Sequence, residues 1–288
     1  MPSDLAKPLP TTARLSLGRT ASSISTHYHL QFQLDHALAR DAVHAQLDIP
    51  TLVQSLQDRN LKPIILHSAV EPTQPDRRTY LRRPDLGRKL HPTSIQTLQL
   101  LDPTKNLVIL SEASRGFMRE AQLKDPEAAR SASAAQNLST ENPTPHILFL
   151  LADGLSAQAI EHHALPLLDA TLPLIPNPYP LIPVVQNARV AIADEIGHLL
   201  RADLTILLIG ERPGLSSPDS LGVYLTWNPR PGRTDAERNC ISNIRGDQGL
   251  SYAEAADRIA HYIAEATRLQ TTGIALKDPS AAALPESL

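Results

Sequence analysis

Three runs of apolar residues mark the second half of the chain: "ILFLL" (Ile147–Leu151), "DLTILLIG" (Asp203–Gly210) and "GVYLTWN" (Gly222–Asn228). Continuous runs of that length, bounded by turn residues, read as strands buried on both faces. Between and after them the apolar positions fall at helical spacing. "NARVAIADEIGHLLRA" predicts a helix ending near Ala202, and "SYAEAADRIAHYIAEATRLQ" (Ser251–Gln270) predicts another. In the latter, Ser251 and Glu254 stand at the S-x-x-E spacing of a capping box, which satisfies the free N–H groups of a first turn. Ala256, Ile259, Ala260, Ile263 and Ala264 form its expected apolar face. Buried strands alternating with helices imply an α/β layer, and ligands of such sheets lie beyond the carboxyl ends of the strands. The loops after Leu151 and Ile209 are placed there, which aims Asp153 and Glu211 at a common crevice.

The first half is less regular. "YHLQFQLDHALARDAVHAQ" (Tyr28–Gln46) predicts a helix in which Phe32, Leu34, Leu38 and Val43 share a broad face. "IPTLVQSLQDRN" (Ile49–Asn60) predicts a second helix and "KPIILHSAV" (Lys62–Val70) a strand. The expected organisation is a flexible segment 1–26, a mainly helical part 27–102, an insertion or mobile loop 103–145 and an α/β domain 146–288. The insertion holds one candidate strand, Asn106–Leu110, and ends in an Ala/Ser/Asn/Thr/Pro stretch of low complexity. The predicted fold class is α/β: a helical N-terminal part followed by a Rossmann-like sheet with flanking helices.

Composition narrows the function. Aromatics are 3% of the 288 residues, so the core is built from Leu, Ile, Val and Ala. A net charge of −3 argues against the basic stripe of a nucleic-acid binder. The single cysteine, Cys240, excludes an internal disulfide and a multi-cysteine zinc site, and it suits a reducing compartment. No apolar run approaches the roughly 20 residues that span a bilayer, and the first residues lack the apolar stretch of a secretory signal. A cytoplasmic protein is expected.

Several constellations admit two readings each. "ADGLSA" places Ser156 near Gly154, but a nucleophile elbow needs glycines on both sides of the serine. The plainer reading has Asp153 ordering the turn and Ser156 capping the next helix. Glu211 in "GERPG" is either an acceptor at the crevice or one half of a Glu–Arg pair in a turn. Cys240 as a small buried hydrophobe is favoured over a ligand contact, and as a nucleophile it lacks a local base. His162 and His163, being adjacent, should face differently on a helix, and no histidine pattern predicts a protein-bound metal. "YLRRPDLGRKL" is the strongest surface signal: Arg82, Arg83, Arg88 and Lys89 form a solvated face, or dock an acidic partner or a ligand phosphate.

Six segments, in order, carry a family resemblance: "FQLDHALARDAVHA" (Phe32–Ala45), "YLRRPDLGR" (Tyr80–Arg88), "ADGLSA" (Ala152–Ala157), "ARVAIADEIG" (Ala188–Gly197), "LIGERPGLSSPDSLGVYLTW" (Leu208–Trp227) and "RNCISNIR" (Arg238–Arg245). Together the chain resembles the small subunit of ethanolamine ammonia-lyase from about residue 14 to 278. Its main departure is a longer stretch from about 103 to 145. The resemblance implies an adenosylcobalamin-dependent lyase converting ethanolamine to acetaldehyde and ammonia by radical rearrangement. It implies a separate large subunit that holds ethanolamine, a cobalamin covered by this chain at the interface, and no catalytic residue here. By the family pattern Val190, Glu211 and Cys240 are the cofactor contacts. The chain lacks the D-x-H-x-x-G pattern of proteins that give a histidine to cobalt, so no metal ligand is expected from it. Some members enter bacterial microcompartments. Residues 1–20 are only weakly amphipathic, which leaves that location open. Two readings of other classes stand beside this one: a self-sufficient hydrolase using Ser156 or Cys240, and a non-enzymatic scaffold for the large subunit.

Overall fold

A computed structural model describes residues 19–20, 23–70, 77–101, 145–175 and 178–276. The expected insertion and its candidate strand fall almost wholly outside them, as do residues 1–18 of the segment expected to be flexible; within that segment residues 19–20 and 23–24 form a short antiparallel pair instead. The described strands are β1 (Arg19–Thr20), β2 (Ser23–Ile24), β3 (Lys62–His67), β4 (Ile147–Ala152), β5 (Leu181–Gln186), β6 (Leu204–Gly210), β7 (Leu221–Trp227) and β8 (Asn239–Ile244). The helices are α1 (Thr26–His44), α2 (Ile49–Gln57), α3 (Arg77–Arg82), α4 (Pro92–Leu100), α5 (Ala157–Ala159), α6 (Leu165–Thr171), α7 (Ile192–Leu199) and α8 (Tyr252–Leu269). A π-helical turn (Ile160–Ala164) joins α5 to α6.

Six strands form one mixed sheet in the order β3-β5-β4-β6-β7-β8. The first four are parallel; β7 and β8 run antiparallel to their neighbours. The reversal has a simple cause. The link from β6 to β7 is a loop with no helix, and only a crossover brings a strand back in parallel. The strand of the N-terminal half, β3, lies in this same sheet and pairs with β5 along its whole length.

The sheet separates two cores, and the period-2 alternation of strand side chains feeds both. Ile147, Phe149 and Leu151 of β4 point into one core with α2, α6 and α8. Leu148, Leu150 and Ala152 point into the other with α4 and α7. All six residues of β4 are buried, which is why the sequence shows an unbroken apolar run there. Ser251 caps α8 as expected, accepting from the Glu254 N–H at 3.3 Å while Glu254 returns a bond to the Ser251 N–H.

Two predicted faces are corrected. On α8 the buried residues are Ala255, Ala256, Ile259, Tyr262, Ile263 and Ala266; Ala264 is exposed and Ala260 half-buried. The stripe is rotated because Tyr262 offers more area to the core than either alanine. On α1 only Asp35 and Ala42 are buried. Phe32, Leu34 and Leu38 stand 47%, 54% and 48% exposed, together with Leu30. They do not form a core face within this chain. No helix among the described residues is long and apolar enough to cross a membrane.

Candidate functional site

The carboxyl ends of β4, β5 and β6 meet at a floor made of backbone. Gly154 adopts φ +54, and a Cβ there would lie 2.2 Å from the Gly210 carbonyl oxygen. A Cβ on Gly210 would lie 2.0 Å from the Ser156 carbonyl oxygen. The two glycines let the turn after β4 rest directly on the end of β6, fixed by Leu155 N–H donating to Gly210 O at 2.9 Å. Buried Arg77 supports this turn from beneath. It donates to the Gly154 carbonyl at 3.1 Å, to Val43 O at 2.8 Å and to Asp153 at 3.3 Å. The Tyr80 hydroxyl lies 2.8 and 2.6 Å from Gly154 O and Ala188 O, which share its one donated hydrogen. Burial pushes that phenol well above its ordinary range, so it remains a donor. Asp153 accepts from Ala188 N–H at 3.2 Å. It therefore orders the turn, as its plainer reading held, and does not face the cleft.

Above this floor lies a cleft of about 280 Å³ lined by Val190, Glu211, Arg189, Arg212 and Tyr224 beside the two glycines. It continues into a second cleft of about 610 Å³ that shares Arg189, Val190, Arg212 and Tyr224 and reaches Arg88 and Arg238. Val190 is half-buried in the loop before α7, and Glu211 directly follows β6. Glu211 is not one half of a Glu–Arg pair. Its Oε2 accepts from Ser220 Oγ at 2.5 Å and from Asn243 N–H at 3.3 Å. Its Oε1 has no hydrogen bond among the described residues. Gly222 leaves room for that carboxylate, since a Cβ there would meet Oε1 at 2.9 Å.

Cys240 is exposed, not a core residue. It sits on β8, the edge strand, in register with Tyr224, which lines both clefts. Edge position and alternation put its side chain outward where Asn239 and Ile241 point in. Its thiol is partly screened, and that screening holds its pKa above the ordinary value; the Glu211 charge acts in the same direction. Such a thiol is a poor nucleophile at neutral pH. Ser156 is buried, accepts from Ala159 N–H at 3.3 Å and donates to Pro218 O at 2.9 Å. It is a helix cap tied to a loop.

Many of the polar side chains between Asp235 and Arg245 are architectural. Arg238 is buried against Asp194 through two bonds of 2.6 and 2.7 Å. Asn239 accepts from Gly273 N–H at 2.8 Å and donates to the carbonyls of Gly273 and Leu276. Arg245 donates to Asp219 at 3.2 Å. Glu237 closes the loop before β8. It accepts from Thr234 N–H at 2.7 Å and from Thr234 Oγ at 3.0 Å, and it pairs with Arg233. The Thr234 amide first, and Arg233 next, pull its carboxyl down to about 2. A carboxyl depressed on folding contributes stability above its ordinary value of 4.5 that is lost as pH falls through about 2. Exchange of the Thr234 amide should accordingly be slow down to that range. Glu237→Ala should accelerate it about tenfold or more at pH 7, the scale of a lost cap. An unchanged exchange rate would count against this role for Glu237.

His162 is exposed and His163 buried, as adjacent helical residues should differ, yet they meet at one carboxylate. The π turn brings both to Asp219 Oδ2, at 3.1 and 3.2 Å. Among the described residues these three form the one cluster of His, Cys, Asp and Glu with metal-like spacing. Tyr252 on His163 at 2.8 Å and Arg245 on Asp219 complete the network with protein groups. Burial pulls His163 down, against the pull of Asp219. The cluster fastens the loop between β6 and β7 to the helix after β4.

Val190 and Glu211 thus line one cleft, and Cys240 is joined to it only through Tyr224, its partner across β7 and β8. Arg189, Arg212 and Tyr224 complete the lining and were not singled out as contacts from sequence. The signal for the two arginines was their position next to Val190 and Glu211. For Tyr224 it was strand alternation, readable only with the register to β8. Arg82, Arg83, Arg88 and Lys89 are all exposed, Arg83 paired with Asp85 at 2.9 Å.

Comparison with known proteins places the chain firmly. It matches the profile of the ethanolamine ammonia-lyase light chain family over residues 7–113 and 104–277. It is 44% identical to the ethanolamine ammonia-lyase small subunit of Azotobacter vinelandii over 271 residues, covering 93% of this chain and 85% of that protein. The small subunits of Pseudomonas aeruginosa and Xanthomonas campestris are 43% and 44% identical over the same share of this chain, at 84% and 85% of their own lengths.

Proposed function

The chain belongs to the ethanolamine ammonia-lyase light chain family, and on that premise we propose that it is the cofactor-covering subunit of a two-chain lyase that converts ethanolamine to acetaldehyde and ammonia. The observation that carries the reading is that Val190 and Glu211 line one cleft at the carboxyl ends of β4, β5 and β6, with Cys240 paired across to Tyr224 of the same lining. That is where an open α/β sheet holds a ligand. The chemistry of the lining suits a corrin, whose rim carries amides and whose ring is apolar. Glu211 keeps one carboxylate oxygen for an amide N–H, Val190 gives an apolar contact, and Cys240 is exposed and small.

When bound, adenosylcobalamin supplies the radical chemistry, which no side chain here needs to perform. The chain's own residues bind and orient. Ser220 and the Asn243 amide hold Glu211 in place; the Gly154–Gly210 floor brings backbone close beneath the ligand; Tyr224 and Val190 exclude water from its edge. In this reading the chain gives cobalt no ligand, and ethanolamine is held by the large subunit. The exposed apolar side chains of α1 and the basic segment Arg82–Lys89 are the surfaces that partner would cover. The assembly works in the cytoplasm, whether free or inside a bacterial microcompartment.

Reconstitution tests the reading. Acetaldehyde formation from ethanolamine should require this chain, a large subunit and adenosylcobalamin together, each omitted in turn. Turnover without this chain, or by this chain alone, would overturn it. Glu211→Ala should weaken cobalamin binding to the two-chain complex by on the order of 1–3 kcal/mol, the value of a buried hydrogen bond to a charged group. An unchanged affinity would favour a scaffold that never touches the cofactor.

A further inference from the structure

We propose that Arg88, Arg189 and Arg212 form a binding site for a phosphate-class anion, and that its occupant is the phosphodiester of the nucleotide loop of a bound corrinoid. The assignment of that occupant rests on the cofactor reading above. The site itself rests on charge and geometry.

The three guanidiniums come from three separate elements: the 3-10 turn Leu86–Arg88, the loop before α7 and the loop after β6. All line the cleft of about 610 Å³. The other two arginines in its wall are neutralised, Arg233 by Glu237 and Arg238 by Asp194. Among the described residues no carboxylate pairs with Arg88, Arg189 or Arg212. Asp235, the one acid in that wall, lies 3.5 Å from Arg238. Three uncompensated cations therefore face one concavity in a chain whose net charge is −3.

Arg189 is the built element. Its Nε is buried and has no hydrogen-bond partner. One terminal nitrogen reaches only the Tyr80 carbonyl, at 3.4 Å. Its guanidinium stacks on the Tyr80 ring at 4.3 Å, with Arg77 at 4.7 Å from the same ring. The Arg189 N–H donates to Gly87 O at 2.7 Å, and a Cβ on Gly87 would meet Arg189 Cγ at 2.9 Å. That contact locks the Arg88 turn to Arg189. Burial, together with the charges of Arg77 and Arg212, disfavours the Arg189 cation. A neighbouring anion would reverse this. Guanidiniums converging from several directions match a tetrahedral oxyanion better than a planar carboxylate, which one Arg fork satisfies.

The test uses the two-chain complex and equilibrium dialysis against two probes: cobalamin, and cobinamide, which has the same corrin but no nucleotide loop. The double variant Arg88→Gln/Arg212→Gln should bind cobalamin about tenfold or more weakly, with cobinamide affinity changed less than about twofold. Arg88→Lys/Arg212→Lys should recover part of the loss by restoring charge. Equal losses for both probes, or no loss for either, would overturn the proposal. Should the unaltered complex bind neither corrinoid, the cofactor reading fails, and calorimetry with inorganic phosphate decides the rest. Saturable phosphate binding that the Gln variant lacks would keep the anion site and make free phosphate its source. No phosphate binding would overturn the site as well.

Discussion

Replacing Arg238 by methionine should lower the unfolding free energy of the full chain by about 3–5 kcal/mol, the usual penalty for breaking a buried ion pair. Arg238 and Asp194 are each 2% exposed and bonded twice, at 2.6 and 2.7 Å. Arg238 also donates to Thr226 Oγ1 and to the Arg233 carbonyl. It ties α7 to β7 and to the loop that walls the larger cleft. Burial already pushes the Asp194 carboxyl up, with Arg238 opposing it. Methionine removes the opposition, so Asp194 in the folded variant holds its proton to higher pH. A carboxyl raised on folding keeps its stability contribution below the ordinary value of 3.8 and loses it as pH rises through the folded value. The penalty should therefore be smaller at pH 4 than at pH 8. Replacing both partners by apolar residues should recover most of it, because no buried charge is then left unpaired. Denaturant unfolding of the single and double variants decides. A loss below about 1 kcal/mol in Arg238→Met at pH 8 would mean that water reaches Asp194.

Elements buried on both sides were legible in the sequence. The strands expected at Ile147–Leu151, Asp203–Gly210 and Gly222–Asn228 are β4, β6 and β7, each within one residue at either end. Two strands of the six-stranded sheet were not foreseen, nor was the short β1–β2 pair in the segment expected to be flexible. β5 contains Pro183 and follows a proline-rich stretch, which argues for a loop. It is nonetheless held between β3 and β4, with Pro183 opposite Ile64 and β4 paired only at Leu151–Val184 and Ala152–Val185. The missing N–H falls where the β4 pairing has not yet begun. β8 is an edge strand whose outward residues are polar, so Asn239–Ile244 reads as a polar loop until its partner is known. The α1 face misled for a different reason. An apolar stripe predicts that something covers it, and periodicity alone does not say that the cover belongs to the same chain.

At the site, what lay close in sequence was legible and what depended on register was not. Position after a strand put Glu211 at the crevice, whereas Val190 was named only through the family resemblance. Arg238, Asn239 and Arg245 cluster in sequence, yet these side chains hold Asp194, the Gly273 and Leu276 backbone, and Asp219. Their partners lie 26 to 44 residues away, a separation that no local pattern encodes. The meeting of His162 and His163 on one carboxylate was hidden likewise, because a π turn changes the angle between neighbours on a helix.

Two glycines near Glu211 should separate the needs of the fold from those of the site. Gly210→Ala should cost about 3 kcal/mol of stability, the upper end of ordinary overpacking. Its Cβ would meet the Ser156 and Asp153 carbonyl oxygens at 2.0 and 2.6 Å, and both are backbone atoms that cannot rotate away. The turn after β4 would have to lift from the end of β6, distorting the floor of the cleft. Gly222→Ala meets only the Glu211 side chain, at 2.9 Å to Oε1 and 3.1 Å to Cγ. The carboxylate can swing aside, so stability should change by less than about 1 kcal/mol. In the proposed function that swing takes Glu211 away from both Ser220 and the cofactor. Cobalamin affinity of the two-chain complex should then fall about tenfold, the scale of one hydrogen bond to a charged group. Thermal unfolding and equilibrium dialysis read the two quantities separately. Equal stability losses in both variants would mean that the Glu211 side chain is as rigid as the backbone beside it. An intact affinity in Gly222→Ala would remove Glu211 from the cofactor's contacts while leaving the floor, and the cleft above it, in place.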